Sequence, residues 1–221
     1  MDAISIIILF CLIAYFIYKK KKNSKQKTYT KYRKSKSYNS ADAKIRNHWL
    51  EKQEFKGTLG ESRTLNALDS SKGIKLYDLM LPNQYNKDTQ LDIVFITKKA
   101  VYAIENKHYK GWIFGDQFSK QWTQSIYIKG KTKKYNFPNP IRQNWGHIQA
   151  LKSILGPEIP IYSIITFSGD AELKNVKCSA DDTYVIYTED LMKTIDVIEL
   201  KTTVQINDTE AASKLKPYIK D

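Results

Sequence analysis

Asp92, Glu105 and Lys107 are the residues of this chain whose types and spacing could act together chemically. Two carboxylates brought close repel each other unless something positive lies between them, and hard divalent cations take oxygen ligands of this kind. Mg2+ keeps several waters and usually accepts only one or two protein carboxylates, its other oxygens coming from substrate phosphates. A lysine beside such a pair can orient an attacking water, help to deprotonate it, and offset charge building on a phosphate. The plainer reading is a strand whose polar end residues are merely solvated. An E-x-K triplet alone favours that reading, so the case rests on whether the fold brings Asp92 to Glu105.

The element that would do so runs from Gln90 to Lys107, two β-branched and aromatic runs joined by a short polar turn. With Thr97 to Ala100 as a four-residue loop, Ile96 faces Val101 and the register carries Asp92 opposite Glu105. Directly opposed residues of an antiparallel pair share a face, with Cβ atoms about 5 Å apart. Lys107 lies two residues past Glu105, and strand alternation returns it to that face.

The 221-residue chain is long enough for one ordinary domain and an appendage, and its charge is unevenly spread. Ten basic residues and no acid fall within 19–36, whereas 37–221 carries 26 basic and 22 acidic residues. The high pI therefore belongs to the tail and is no argument for nucleic-acid binding by the globular part. Cys11 and Cys178 are far apart in sequence, which suits a reducing compartment, and four-ligand zinc sites built on cysteine are excluded. Ala3 to Tyr18 is uncharged, and as a helix it would run about 24 Å against a hydrocarbon core of about 30 Å. Met1 extends it, Tyr15 and Tyr18 suit the interface, and Lys19 to Lys22 can snorkel. A signal peptide would carry its basic cluster before the apolar run and a small-residue cleavage site after it. The expectation is a single-pass anchor over 1–18 in the cell membrane, with the globular domain on the cytoplasmic side. Residues 19–41 then form a basic linker without a core, either merely solvated or set against anionic lipid ahead of nucleic acid.

Residues 42–221 read as the globular domain. A helix is expected from Ser40 or Asp42 to Phe55, and a second after the glycines of Gly57-Thr58-Leu59-Gly60-Glu61. Glu61, Leu65 and Leu68 recur on one helical stripe, so Glu61 either meets free N–H groups at the helix start or aims a further carboxylate at the metal site. A short strand over Lys75 to Leu81 precedes the central hairpin. After Lys107 a turn and a further strand are expected through Asp116, then Trp122-Thr123-Gln124 and Ile126 to Ile128, followed by a basic turn carrying Lys129, Lys131, Lys133 and Lys134 before Tyr135. Pro140 opens a helix to about Leu155, with Ile141, Trp145, Ile148 and Leu151 as its apolar stripe. Gln143 and His147 lie on a neighbouring side. His147 could serve as an acid or base, but a histidine without an evident partner reads first as a surface or satisfied residue. Pro160 to Phe167 is a strand buried on both faces, Tyr184 to Tyr187 another, and helices follow over Glu189 to Ile198 and from Asn207. The whole is an α/β or α+β domain with a mixed sheet.

With these residues laid out, Asp-x12-Glu-x-Lys resembles the signature of PD-(D/E)XK nucleases, and the chain resembles the nuclease-related domain (NERD) family of that superfamily. The pieces are Gly57 to Glu61, Gln90-Leu91-Asp92, Val101 to Lys107 with Gly111, Trp122-Thr123-Gln124, and Asn139-Pro140-Ile141-Arg142-Gln143. They stand in the family's order over roughly 55–170. The resemblance implies a restriction-endonuclease-like αβββαβ core and metal-dependent nuclease chemistry. Carried over by motif, Glu61, Asp92 and Glu105 would surround Mg2+ or Mn2+, Lys107 would face the water and Gln143 would line the cleft. The partner implied is nucleic acid, DNA ahead of RNA. The chain departs from the family at Asn106 and His108, where Thr and Asn are usual. Residue 106 should point to the opposite strand face, away from the metal, whereas His108 could add a donor near the cleft or simply end the strand. Two functions follow: a membrane-anchored nuclease hydrolysing phosphodiester bonds, or a catalytically inactive tethered module of the same fold that binds nucleic acid or protein.

Overall fold

A computed structural model describes residues 59–69, 71–82 and 88–220, all within one of the chain's two compact units, 54–221. The expected anchor, the basic linker, the helix ending at Phe55 and the loop before Asp88 lie wholly or mainly outside the described residues. Among the described residues no helix is long and apolar enough to cross a membrane.

In chain order the elements are α1 (Leu59–Leu68), β1 (Ile74–Pro82), β2 (Asp88–Ile96), β3 (Val101–Asp116), β4 (Gln121–Ile128), β5 (Lys131–Pro138), α2 (Pro140–Leu155), β6 (Ile161–Lys177), β7 (Thr183–Tyr187), α3 (Leu191–Lys201) and α4 (Asp208–Leu215). The first five strands pair antiparallel in sequence order. β6 pairs parallel with β3 and with β7, completing a seven-stranded mixed sheet. This is the α+β architecture expected from the pattern of apolar runs.

The centre of the sheet is β3. Its partner β6 runs beside it from Val101 to Asp116 along one edge. On the other edge β2 covers only Val101 to Ile104, and β4 only Trp112 to Phe114. Residues 105–111 therefore lie in a gap between two strands that both diverge from β3. The sequence predicts a turn after Lys107, yet β3 runs unbroken through it, sixteen residues in all. Gly111 makes this possible: its φ of 75° bends the strand inside the sheet, and a Cβ there would meet the Ser125 carbonyl oxygen at 2.5 Å.

Strand alternation sorts the core into two faces. Ile93, Phe95, Tyr102 and Ile104 pack under Leu68 of α1 and Leu191, Ile195 and Ile198 of α3. Val94, Ile96, Val101 and Ala103 pack under Ile148, Leu151 and Leu155 of α2 and Leu215 of α4. A third cluster joins Trp122 and Phe137 of the β4–β5 hairpin to Ile141 of α2 and Phe167 of β6. Each fully buried large aliphatic side chain contributes about 1.5–3 kcal/mol, and the buried run Val101 to Ile104 fixes β3 from both sides.

Asn139 opens α2: its side chain accepts from the Ile141 amide at 2.9 Å and donates to the Asp116 and Ser119 carbonyls. The apolar stripe of α2 differs from expectation at one place. Asn144 takes the buried position and Trp145 is 58% exposed. Burial of Asn144 is tolerated because its Nδ2 donates to the Ala103 carbonyl at 2.9 Å and to Ser163 Oγ at 2.8 Å. Those bonds pin α2 across β3 and β6, which sets the helix over the strand that carries Glu105.

Candidate active site

The hairpin register is the one the sequence predicts: Ile96 pairs with Val101 and Ile93 with Ile104, and the Thr97 amide donates to the Ala100 carbonyl to close the loop. One residue beyond the last pair the strands part, and Asp92 Oδ2 accepts from the Asn106 amide at 3.0 Å. A carboxylate thus takes the place of a strand carbonyl where the ladder ends. Asp92 belongs to the alternation of Val94 and Ile96, and Glu105 to that of Val101 and Ala103, so both lie on the α2 face.

Glu105 is only 2% exposed. Lys107 Nζ donates to its Oε1 at 2.6 Å, Gln143 Nε2 donates to the same oxygen at 2.8 Å, and Lys107 Nζ also donates to Gln143 Oε1 at 3.1 Å. The three side chains close a triangle that fixes the carboxylate. On its other side Glu105 Oε2 stands 3.5 Å from His147 Nε2, and His147 Nδ1 is 3.0 Å from Thr89 Oγ1. His147 itself is buried, not a surface residue. Its partners lie far away in sequence, so the only hint was its four-residue spacing from Gln143.

Two carboxylates in one half-buried cleft push each other's titration apart. Burial first, then Glu105, raises the Asp92 carboxyl to about 7, Glu61 adding in the same direction against the Asn106 amide and Lys107. Burial also acts to raise Glu105, but His147 and Lys107 outweigh it, and its carboxyl is held below the usual range.

Glu61 sits half-buried in the first turn of α1, on the side of the sheet opposite α2, with its charge felt at Asp92. Gln143 is exposed at the mouth of the site. Asn106 points away from the carboxylates, donating to Thr64 Oγ1 at 2.7 Å and Thr166 Oγ1 at 3.0 Å. His108 lies on that same far face, 3.1 Å from Ser168 Oγ, and ends up supporting α1, not the cleft. Among the described residues no group of three His, Cys, Asp or Glu is gathered as a ready-made metal cage.

The carboxylate pair nevertheless fits a divalent cation on two observations. Glu105 Oε2 is a buried oxygen without a hydrogen-bond partner among the described residues, and Asp92 is driven toward protonation by burial and by the Glu105 carboxylate. Both are features that a positive charge would relieve.

Residues 56–168 match the family model of the nuclease-related domain. A protein of Bacillus anthracis described as uncharacterized is 33% identical over 160 residues, which cover 71% of this chain and 72% of the relative. No solved structure matches the chain at a significant level.

Proposed function

This chain belongs to the nuclease-related domain family, and from that premise we propose that it is a divalent-metal-dependent nuclease that hydrolyses phosphodiester bonds by attack of water. The observation that carries the reading is the Glu105–Lys107–Gln143 triangle beside Asp92. The element order α1, β1 to β3, α2, β6, with the β4–β5 hairpin inserted, supports a restriction-endonuclease-like core.

Asp92 and Glu105 would hold Mg2+ or Mn2+, with Glu61 adding charge from α1. That no group of three ligands is gathered among the described residues suits Mg2+, which keeps waters and takes phosphate oxygens. When bound, the cation supplies Lewis acidity toward a phosphate oxygen and makes water a stronger nucleophile at neutral pH. Lys107 uses two of the three N–H groups of its ammonium on Glu105 and Gln143. The third is free to orient a water or to donate to a phosphate oxygen. Gln143 holds the lysine and the carboxylate at a fixed separation, so neither has to reorganise as charge builds. Its exposed position lets it meet substrate as well. The proposed substrate is nucleic acid, DNA ahead of RNA.

The tether is the second part of the proposal: a helix over 1–18 in the cell membrane, 19–41 against anionic lipid, and the domain on the cytoplasmic side. On this reading the chain stays with membranes washed in high salt, and release by salt alone would remove the anchor.

Full-length chain incubated with labelled DNA and RNA in Mg2+, Mn2+ or EDTA tests the nuclease itself. Cleavage is expected with either metal and not with EDTA, and Asp92→Asn should weaken metal binding and cleavage together. An unaltered chain that neither cuts nor binds divalent metal with nucleic acid present would be an inactive binding module.

A further inference from the structure

No acidic residue occurs between Asp116 and Glu158, while the same span carries Lys120, Lys129, Lys131, Lys133, Lys134, Arg142 and Lys152. The remainder of 37–221 has 19 basic and 22 acidic residues, so the positive excess of the domain belongs wholly to this span. Most of it lies on the β4–β5 hairpin.

The hairpin leaves the sheet in a defined direction. Trp112 and Ser125 are the last residues that β3 and β4 pair, and from Ile126 onward β4 is held by β5 alone. Because β4 is antiparallel to β3, its free end travels toward the lower-numbered part of β3, the gap that holds Glu105 and Lys107. Lys129 and Gly130 form a two-residue turn with φ of 48° and 79°, the I′ geometry that matches strand twist and makes a firm hairpin.

Register then sorts the side chains. Trp122 pairs with Phe137, Gln124 with Tyr135, Ile126 with Lys133 and Ile128 with Lys131. Trp122 and Phe137 pack on Ile141 of α2. Lys131, Lys133 and Tyr135 therefore stand on the α2 face, the face of Glu105, Lys107 and Gln143. All three are exposed, Tyr135 at 46%. Lysines on an edge strand also deter pairing with other chains, but that role asks for no exclusion of acids over the whole span.

We propose that the β4–β5 hairpin is an arm that tracks a nucleic-acid backbone into the carboxylate site, Lys131 and Lys133 neutralising phosphates and Tyr135 offering its ring to an unpaired base. The inference rests on the nuclease reading for what the site is, and it names how substrate is held there. A nucleic acid is favoured over a lipid surface because the lysines share one face with a site suited to phosphodiesters, and a lipid headgroup layer needs no such register.

The test is binding of full-length chain to a labelled duplex and its single strand in EDTA, across a potassium chloride series, so that cleavage plays no part. Each phosphate contact contributes about 0.9 to the slope of log affinity against log salt on a duplex. Lys131→Ala with Lys133→Ala should lower the slope by about two. Lys193→Ala with Lys201→Ala, on α3 at the opposite face, should leave it unchanged. Tyr135→Ala should weaken single-strand binding about tenfold or more while sparing the duplex. An unchanged slope in the arm variant overturns the proposal, and if Mg2+-dependent cleavage persists the nuclease reading stands without it. Loss of binding to phosphatidylserine vesicles with nucleic-acid binding intact also overturns it, in favour of lipid. Arm-dependent binding in a chain that never cuts would uphold the arm and reject the nuclease.

Discussion

Glu105 Oε2 and His147 Nε2 face each other across 3.5 Å, both buried and both without a hydrogen-bond partner among the described residues. Thr89 on β2 holds the far side of the ring, so the imidazole bridges β2 to the carboxylate of β3 from above. His147→Ala would leave Glu105 facing an empty space. It should cost about 1–3 kcal/mol in urea unfolding and about 10- to 100-fold in cleavage, as loss of a group behind a metal ligand usually does. His147→Gln should recover part of the cleavage. Full activity in the alanine variant would show that the ring only fills space.

Asp92 makes the metal-free protein sensitive to pH in an unusual direction. Its carboxyl is raised from 3.8 to about 7, so between those values the folded state keeps a proton that the unfolded chain has lost. Its stabilising contribution is full below about pH 4, falls as pH rises to about 7, and is flat beyond. The displacement corresponds to about 4 kcal/mol at most. Glu105 acts oppositely: held below 4.5, it contributes above that value and loses its contribution on acidification. Urea unfolding in EDTA from pH 5 to 8 should show a decline that Asp92→Asn flattens.

A cation held as proposed by Asp92 and Glu105 would compete with that proton. Affinity measured by calorimetry should rise about tenfold for each pH step of one up to about 7, then level off. Affinity independent of pH over this range would mean that Asp92 is no ligand.

Lys107 and Gln143 should separate binding from rate. Lys107→Ala removes no metal ligand, so metal affinity should hold, while cleavage falls about 10²- to 10⁴-fold. Gln143→Leu breaks the triangle but leaves the lysine in place, and a smaller loss of about tenfold is expected. Equal losses of metal affinity and rate in the lysine variant would argue that Nζ organises the carboxylates and does not act on water or phosphate.

On the other face of the sheet, Gly60 carries α1 against β3 without a side chain between them. A Cβ there would overlap the Asn106 side chain and stand 2.9 Å from His108 Cβ and Ser168 Oγ. Gly60→Ala should destabilise the domain by about 1–3 kcal/mol in thermal or urea unfolding, and should shift Glu61 with its helix.

The hairpin and its register were legible because alternating β-branched residues and a four-residue loop admit one pairing that keeps the apolar face inward. The helix that Pro140 opens was legible for an equally local reason, and its cap at Asn139 is what the structure adds. The stripe of α2 departs from the pattern at one turn: an apolar count prefers Trp145, whereas Asn144 is buried by bonds to Ala103 and Ser163 that no local pattern announces. Gly111 reads like the end of a strand because a glycine at positive φ inside a strand and one in a turn have the same sequence signature. The role of His147 escapes the sequence for a related reason, since Thr89 lies 58 residues away.

The continuity of β3 has a consequence for how the protein comes to be. Val101 pairs with Ile161, sixty positions on, and the two strands zip together through Asp116 and Lys177. Pairing so distant in sequence pays its loop-closure entropy before any contact is made, which makes it slow relative to the local hairpins. During synthesis Glu105 and Lys107 leave the ribosome long before β6 exists to hold their strand, and α2 with Gln143 follows in between. The cleft is therefore assembled late, and a nascent or truncated chain ending before β6 carries the acidic residues without the site.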